Sequence, residues 1–414
     1  MTKRLPVLAL LGLLAAPVAA QTIAITGGTV YTAAGEPIEH GTVLIRDGRI
    51  VAVGASVDVP AGAQRVDATG KWVTPGLIVV GSQLGLVEIG SVSGTREGSF
   101  SGDDVSASFN PLEGVNPASQ LIPVTRTNGV TTTVLAPSGG LIPGQAVAID
   151  LLGPRIEDMT VRSPDGIVIR LGEASKDAGG DSRAGVMARL RQLFQDAREY
   201  DRRRADYRRA EMQPLSAPVA DLEALLPALR REQPVWISAN RRSDIENALR
   251  LAREFRLDMV LVSGEEAWQV ADQLAQANVT VVVDPFQDIP DYDALSPRLD
   301  NAALLQQAGV RIVLSNFDSH NARDVRQAVG NAVANGLPWA DGLRSVTANA
   351  ARAAGLADRG TLEAGKVANV VIWTADPFDF EAGVQAVYIR GQLVPMDSRQ
   401  HDLLERYKTL PPRY

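Results

Sequence analysis

The sequence predicts an α/β fold: a (β/α)8 barrel of the TIM type, with a small β-sandwich domain built from both chain ends. Two observations carry this prediction. Eight apolar, β-branched segments between residues 76 and 318 alternate with amphipathic helical segments, which is typical of βα units around a parallel sheet. Segments punctuated by Gly, Asp-Gly and Pro flank this region on both sides. A doubly wound open sheet is the alternative for the central region.

The barrel strands are expected in the segments GLIVVGS, GVTTTVLAP, GQAVAIDLLG, DGIVIRLGE, PVWISAN, LDMVLVSG, NVTVVVDP and VRIVLSNFD. The later ones are continuous apolar runs, as expected of parallel strands that are buried on both faces. The predicted barrel therefore covers residues 75–359. The small β domain combines residues 21–74 with 360–397, and a polar tail follows over 398–414.

The N-terminus has the pattern of a secretory signal peptide over residues 1–20. A basic start, MTKR, precedes the apolar run LPVLALLGLLAAPVA, and Val18-Ala19-Ala20 is a small-residue cleavage site. A membrane anchor is the alternative, but the run is short for a span and contains two prolines. No later segment predicts a transmembrane helix. We expect a secreted or periplasmic protein that is cleaved after Ala20.

Composition excludes several kinds of function. The 414 residues include 41 Lys and Arg against 48 Asp and Glu, a formal charge of -7, and no cysteine. A mild acidic excess argues against a nucleic-acid surface, which needs clustered positive charge. The absence of Cys excludes disulfides, thiolate ligands and a Cys nucleophile. The charged run at 184–211 predicts a solvated helix with ion pairs such as Asp201 with Arg204; a basic docking surface is the alternative.

Polar residues follow several predicted barrel strands, at the end where such barrels build their sites. Asp318 and His320 come after the last strand and form the candidate catalytic pair, with helix capping as the alternative. The candidate substrate-binding residues are Gln83, Ser238, Asn240, Ser263 and Asn321. Glu265 and Asp284 also follow strands, and for them we favour capping of the next helix. His40 and His401 are expected on the surface.

Two segments and their order carry a family resemblance. ITGGTVYTAAGEPIEHGTVLIRDGRIVAVG, followed by VDATGKWVTPGLI, resembles the N-terminal part of the amidohydrolase superfamily, near its imidazolonepropionase-like branch. DRGTLEAGKVANVVIWTADPF resembles its closing β segment. The resemblance implies hydrolysis of C–N bonds, in amides or cyclic amides, by water that one or two divalent metals activate.

The ligands that this resemblance implies are largely missing. The first-strand histidine pair falls on Gly81 and Gln83, and the histidines of the fifth and sixth strands fall on Ser238 and Ser263. The eighth-strand aspartate falls on Asp318. Three histidines in the whole chain cannot supply four imidazoles. We therefore expect no metal and no other cofactor in the standard site; a hard cation held by Gln83, Asp284 and Asp318 is the weaker alternative.

Three functions stay open. The first is a hydrolase without the standard metal site, in which Asp318 acts as general base and Ser or Asn donors stabilise the oxyanion. The second is a non-catalytic protein that binds a small molecule or short peptide at the barrel mouth. The third is a partner subunit or homo-oligomer, for which the sequence indicates no particular surface.

Overall fold

The computed structural model describes residues 22–100 and 102–409. The predicted signal peptide lies outside these residues. Within them, no helix combines the length and the apolar character that a membrane span needs. The first five strands are β1 (Thr22–Val30), β2 (Ile38–Arg46), β3 (Arg49–Gly54), β4 (Gln64–Asp67) and β5 (Trp72–Pro75).

Eight further strands form the barrel sheet. They are β6 (Leu77–Ser82), β7 (Val130–Leu135), β8 (Gly144–Asp150), β9 (Thr160–Arg170), β10 (Val235–Ala239), β11 (Met259–Ser263), β12 (Thr280–Val283) and β13 (Arg311–Leu314). All eight coincide with the predicted strand segments, and they are neighbours in chain order from β6 to β13. The hydroxyl of Ser315 donates to the carbonyl of Val80 at 2.6 Å. Side-chain bonds of this kind join the two ends of the sheet into a nearly closed barrel.

One barrel strand runs against the expected direction. β8 pairs antiparallel with both β7 and β9, whereas the other neighbouring pairs in the barrel are parallel. The loop between β7 and β8 contains Gly139 and Gly140, both with positive φ, so a short turn replaces the crossover helix that a parallel pair needs. The barrel therefore has seven strands in one direction and one in the other.

The second sheet draws its strands from both chain ends, as predicted. The C-terminal part supplies β14 (Val370–Trp373), β15 (Val384–Ile389) and β16 (Gln392–Leu393). β14 pairs with β5, so one hydrogen-bonded sheet runs from β16 to β3 and joins the two chain ends. The predicted Asp-Gly hairpin joins β2 to β3. Asp47 and Gly48 both have positive φ, the conformation of a two-residue turn that matches strand twist.

The helices lie outside the barrel. They are α1 (Leu121–Arg126), α2 (Ile156–Met159), α3 (Arg183–Arg202), α4 (Arg204–Arg208), α5 (Val219–Leu229), α6 (Arg242–Phe255), α7 (Ala271–Gln276), α8 (Asn301–Gln307), α9 (Val325–Ala334), α10 (Trp339–Ser345), α11 (Ala348–Ala353) and α12 (Arg399–Tyr407). The charged run forms α3 and α4, and the predicted ion pair between Arg204 and Asp201 is present at 3.1 Å. The apolar face of α3 is buried. The charged residues lie on its other face and form ion pairs, as expected of a helix at the surface.

Alternate strand residues separate two apolar clusters. Ile78, Val80 and Val134 point into the barrel, where they pack with Trp236 and Val282. Their neighbours along the strands belong to a larger cluster between the sheet and the helices. A barrel strand is thus apolar on both faces, which explains the continuous apolar runs in the sequence.

A buried polar cluster joins the barrel to the second sheet. Asp150, at the end of β8, accepts a hydrogen bond from Arg359 at 2.6 Å and another from Thr132 at 2.8 Å. The amide of Asn369 donates to the same carboxylate, and its oxygen accepts the N–H of Arg390. Here the amide is required as a donor, because a second carboxylate would face Asp150.

Candidate functional site

The barrel mouth collects the polar residues that follow the strands. The carboxyl ends of β6, β7 and β9 to β13 share one edge of the sheet. Gln83, Ser238, Ser263, Asp284 and Asp318 lie at or just after five of these strand ends. The fold therefore brings the candidate residues to the face where such barrels carry their sites, although each side chain is held differently.

Gly81 and Phe317 fill the centre of the mouth with an apolar group. Phe317 has a φ of +48°, a strained conformation for a bulky side chain. Its ring lies over Gly81, whose φ is +76°, and a Cβ at residue 81 would come within 2.7 Å of the ring. The phenyl ring thus occupies the space in front of residue 81, and a side chain at that position would meet it.

A small apolar cavity of about 40 Å³ lies beneath this ring. Its lining includes Val80, Val134, Val168, Trp236, Ser238 and Val282. Ser238 is therefore at the right place to meet a ligand, and its hydroxyl makes no hydrogen bond to another described residue. The cavity suits a small apolar group rather than a hydrated cation, because almost all of its wall is hydrocarbon.

Gln83 holds a loop instead of facing the cavity. Its amide nitrogen donates to the carbonyl of Gly98 at 2.9 Å and to the hydroxyl of Ser138 at 3.0 Å. A Cβ at Gly98 would come within 2.6 Å of the Gln83 amide carbon, so the loop packs directly on this side chain. The structure therefore gives Gln83 a role in positioning the 84–100 loop, and its place as a substrate-binding residue stays a prediction.

Asp318 closes a tight turn after β13. Its carboxylate accepts the backbone N–H groups of His320 at 2.7 Å and Asn321 at 3.0 Å, and the Asn321 amide donates to its second oxygen. Burial alone would raise the pKa of Asp318, but these donors outweigh it and hold the pKa below its usual value. A carboxylate so stabilised is a weak proton acceptor. This is the capping arrangement that we weighed as the alternative.

The ring of His320 is also engaged. Its Nε2 lies 3.0 Å from the carbonyl oxygen of Glu88, so in the tautomer that carries the proton there it donates to the 84–100 loop. The bond between Asp318 and His320 is made by the His320 backbone. The two side chains are therefore not hydrogen-bonded to each other, although both lie at the mouth, and their catalytic role stays a prediction.

Asp284 is a carboxylic acid at the mouth that we did not predict as a site residue from the sequence. We expected it to cap a helix, but the next helix, α8, starts only at Asn301. Asp284 is 5% exposed. One oxygen accepts the N–H of Phe286 at 2.9 Å, and no Lys or Arg of the described residues pairs with it. Burial, reinforced by the negative charge of Asp318, raises the pKa of Asp284 to about 6.

Further polar groups near Asp284 are unpaired or strained. Ser263, at the end of the neighbouring strand, has a φ of +72°, and its hydroxyl has no partner among the described residues. The side-chain oxygen of Asn240 is buried and likewise unpartnered there. Burial and nearby carboxylates, that of Asp291 first, raise the pKa of Glu265 to about 7. Backbone strain and unsatisfied polar groups of this kind concentrate at functional sites.

The donor set does not fit the metal of the resembling family. Gly81 offers no ligand, Gln83 is turned to the loop, and hydroxyls stand at residues 238 and 263. Across residues 22–100 and 102–409, no three His, Asp or Glu side chains converge as a metal site would require. The alternative of Gln83, Asp284 and Asp318 around a hard cation also lacks support from this geometry, because Gln83 and Asp318 are bonded elsewhere.

Comparisons with known proteins agree with the architecture. The Amidohydrolase family profile matches residues 203–395. An amidohydrolase structure from Thermotoga maritima MSB8 superposes with a TM-score of 0.82 at 28% identity, covering 90% of this chain and 99% of that one. In both sequence and fold, the chain is similar to proteins of the amidohydrolase superfamily.

Full-length relatives indicate the branch of the superfamily. The imidazolonepropionase of Methylobacterium nodulans is 27% identical over 391 residues, which is 86% of this chain and 91% of that protein. Amidohydrolase tasK of Hapsidospora irregularis is 25% identical, and the match spans 85% of this chain but only 39% of tasK. The chain is thus similar to the imidazolonepropionase-like branch of the superfamily over most of its length.

Proposed function

We propose that this amidohydrolase-superfamily protein hydrolyses a C–N bond of a small substrate at the barrel mouth, without the family's metal site. One observation carries the proposal. Asp284 is a buried carboxyl at a strand end, without a cationic partner among the described residues, and its pKa of about 6 suits a general base. The neighbouring Asp318 has a lowered pKa. Environments that separate the pKa values of two carboxyls assign them different roles.

The proposed reaction needs only water as co-substrate. Asp284 takes a proton from water while the water oxygen attacks the carbonyl carbon. The hydroxyls of Ser238 and Ser263 donate to the developing oxyanion. As the C–N bond breaks, Asp284 returns the proton to the leaving nitrogen. Asp318 stays ionised and keeps the pKa of Asp284 raised.

The strength of this chemistry limits the substrate. General-base catalysis contributes about 10²–10⁴-fold, which suits a strained or activated cyclic amide or imide better than a plain amide. The relatives named imidazolonepropionase point to the same class, since an imidazolone is a cyclic compound with C–N bonds. The cavity under Phe317 would take a small apolar substituent.

A second function has its own supporting observation. The ring of Phe317 lies over Gly81, above a small cavity with an apolar wall. This shape suits a small organic molecule or the end of a short peptide. Under this alternative, the protein binds such a ligand and does not turn it over. Binding without turnover uses Ser238, Asn240 and Ser263 as polar contacts and gives Asp284 no proton to transfer.

The test is turnover by protein that has been treated with a chelator. Hydantoins, cyclic imides and dihydropyrimidinones are incubated with it, and product is measured against pH. We expect the rate to rise with pH through about 6 and then level off, as the Asp284 carboxyl ionises. Asp284→Asn should lower the rate about 10²-fold or more. Asp58→Asn, at an exposed aspartate outside the barrel, is the matched control and should have no effect.

The other possible results distinguish hydrolysis from binding, and Asp284 from Asp318 as the general base. Thermal stabilisation by the same compounds without product supports the binding alternative. Loss of activity on chelation with recovery on adding Zn or Mn would contradict a metal-free reaction. Asp318→Asn should shift the acidic limb of the pH profile to lower pH, because it removes the charge that helps to raise the pKa of Asp284. A strongly lowered rate in Asp318→Asn, without such a shift, would assign the role of general base to Asp318 instead.

Export is the remaining part of the proposal. It rests on the basic start, apolar run and Val18-Ala19-Ala20 site of the N-terminal sequence. N-terminal sequencing of the protein from a bacterial periplasmic fraction should start at Gln21. A product that retains residues 1–20 in the membrane fraction would support the anchor alternative.

A further inference from the structure

An open depression of about 580 Å³ lies between α9 and the loop that joins β14 to β15. Four aromatic residues line it, and we call it the aromatic groove: Phe286, Trp339, Phe378 and Phe380. Its volume is within the range of about 300–1,000 Å³ that is typical of small-molecule sites. None of the residues assigned to the proposed reaction lines the groove, so a molecule bound there is a second ligand of the protein.

The floor of the aromatic groove is rigid. The ring of Trp339 packs against that of Phe378, with centroids 5.4 Å apart, and against that of Tyr31 at 4.8 Å. Its indole N–H donates to the carboxylate of Asp376 at 2.9 Å. Three neighbours therefore fix this ring before a ligand arrives, so binding orders little that is not already ordered.

Two rings of the groove face water instead. Phe286 is 38% exposed and Phe380 is 82% exposed. Neither contacts another aromatic ring within residues 22–100 and 102–409. Exposed apolar rings grouped around a depression are typical of an interaction site. The groove thus combines a fixed aromatic floor with two further rings that are available to a ligand.

The groove is also negatively charged. Asp376 and Asp379 line it, and no Lys or Arg does. Neither carboxylate forms an ion pair within the part of the chain that the structure describes. Arg326, on α9, is buried and donates to the loop's carbonyl oxygens at Asp379, 3.3 Å away, and at Ala382, 2.9 Å away. It therefore fixes the loop without lining the groove.

Rings and carboxylates together select a cation. An aromatic face attracts a positive charge through its quadrupole, and the two carboxylates repel an anion. Asp376 has little capacity left to accept hydrogen bonds, since one oxygen accepts from Trp339 and Phe378 and the other from Trp339 again. It supplies charge rather than a free acceptor. A cation that carries methyl groups in place of N–H donors fits such a site, because no donor is left unsatisfied.

We propose that the aromatic groove is a binding site for a small quaternary ammonium compound. The floor rings and the exposed rings surround its methyl groups, and the two aspartates supply the opposite charge. The proposal does not depend on the reaction at the barrel mouth, because the two sites share no residue in the roles given to them.

Isothermal titration calorimetry with choline tests the proposal. We expect one saturable site per chain for choline and for tetramethylammonium, with binding that weakens as NaCl is added. The matched control compound is 3,3-dimethylbutan-1-ol, which has the shape of choline with a carbon atom in place of the charged nitrogen. It should not bind measurably, because it lacks the charge that the rings and carboxylates attract.

Two variants locate the site. Phe380→Leu keeps an apolar side chain without an aromatic face, and should weaken choline binding about fivefold. Asp379→Asn removes a charge at nearly constant size, and should weaken binding by about the same factor. Tyr292→Leu and Asp58→Asn are the controls, because both residues are exposed and lie outside the groove, and they should leave binding unchanged.

Several results would overturn the proposal. They are a lack of saturable binding for both cations, equal binding of the neutral alcohol, or choline binding that neither Phe380→Leu nor Asp379→Asn weakens. Binding that is lost in Asp284→Asn but kept in Phe380→Leu would place the cation at the acidic barrel mouth, and overturns it too. We expect Asp284→Asn, which disables the proposed hydrolysis, to bind choline as the wild type does. Binding and hydrolysis can therefore fail separately.

Discussion

Asp150 and Asp284 are both buried aspartates at the end of a barrel strand, and they differ in what surrounds them. Asp150 lies against the second sheet, with Arg359, Thr132 and Asn369 as hydrogen-bond partners. Asp284 lies at the mouth, with one backbone N–H and the like charge of Asp318 nearby. Burial raises the pKa of both, but in Asp150 the charge of Arg359 acts against burial. A buried carboxylate that is neutralised by a cation stabilises the fold. A buried carboxylate without a cation can instead bind and release a proton in a reaction.

The largest expected effect comes from breaking the compensated site. Asp150→Asn leaves the buried guanidinium of Arg359 with only the partly exposed carboxylate of Asp358 as a counter-charge, and the free energy of unfolding should fall by up to about 3–5 kcal/mol. Urea denaturation at neutral pH measures the loss. The double variant Asp150→Asn with Arg359→Met removes both charges, and should recover much of it. Equal losses in the single and double variants would contradict the role of the ion pair.

The uncompensated site should respond in the opposite direction. The pKa of Asp284 is raised to about 6 in the folded protein from 3.8, so the folded state binds its proton more tightly. Its contribution to stability is present below pH about 4 and is lost as pH rises through about 6. Asp284→Asn should therefore raise the free energy of unfolding at pH 7.5, by up to about 3 kcal/mol for two pKa units. At pH 4 the two proteins should be alike. A variant less stable than wild type at pH 7.5 would show that Asp284 is structural.

Asn369→Asp tests this comparison, because it makes the surroundings of Asp150 more like those of Asp284. It replaces an amide donor to Asp150 with a second carboxylate, and should cost about 1–3 kcal/mol at pH 7. The cost should shrink towards pH 4, where one of the two carboxyls can be protonated. Asn369→Ala is the control, because it removes the hydrogen bonds without adding charge. A pH-independent cost would contradict carboxylate repulsion.

The smallest expected effect concerns the filled centre of the mouth. Gly81→Ala places a Cβ 2.7 Å from the Phe317 ring at a φ of +76°, and should cost about 1–2 kcal/mol. The same change in a Phe317→Ala background should cost less, because only the backbone strain is left. Denaturant unfolding of the four proteins gives the coupling energy. No coupling would mean that the Phe317 ring does not restrict the side chain at residue 81.

Much of the fold follows from local pattern in the sequence. The eight barrel strands are continuous apolar runs because both faces of each are buried. The Asp-Gly turn of β2 and β3 follows from its residue types alone. The direction of β8 could not be predicted, because a buried strand has the same pattern in either direction. Only the short glycine-containing connection before it carries that information.

The sequence by itself determined that the chain has only three histidines, and the resemblance predicts that four ligand positions are substituted. Only the tertiary structure decided what replaced them. It placed the ring of Phe317 over Gly81 and turned Gln83 towards Gly98. It engaged Asp318 in a turn and left Asp284 buried without a cation among the described residues. Hydrogen bonds and desolvation set the pKa of a carboxyl, and both arise between residues that are far apart in the chain.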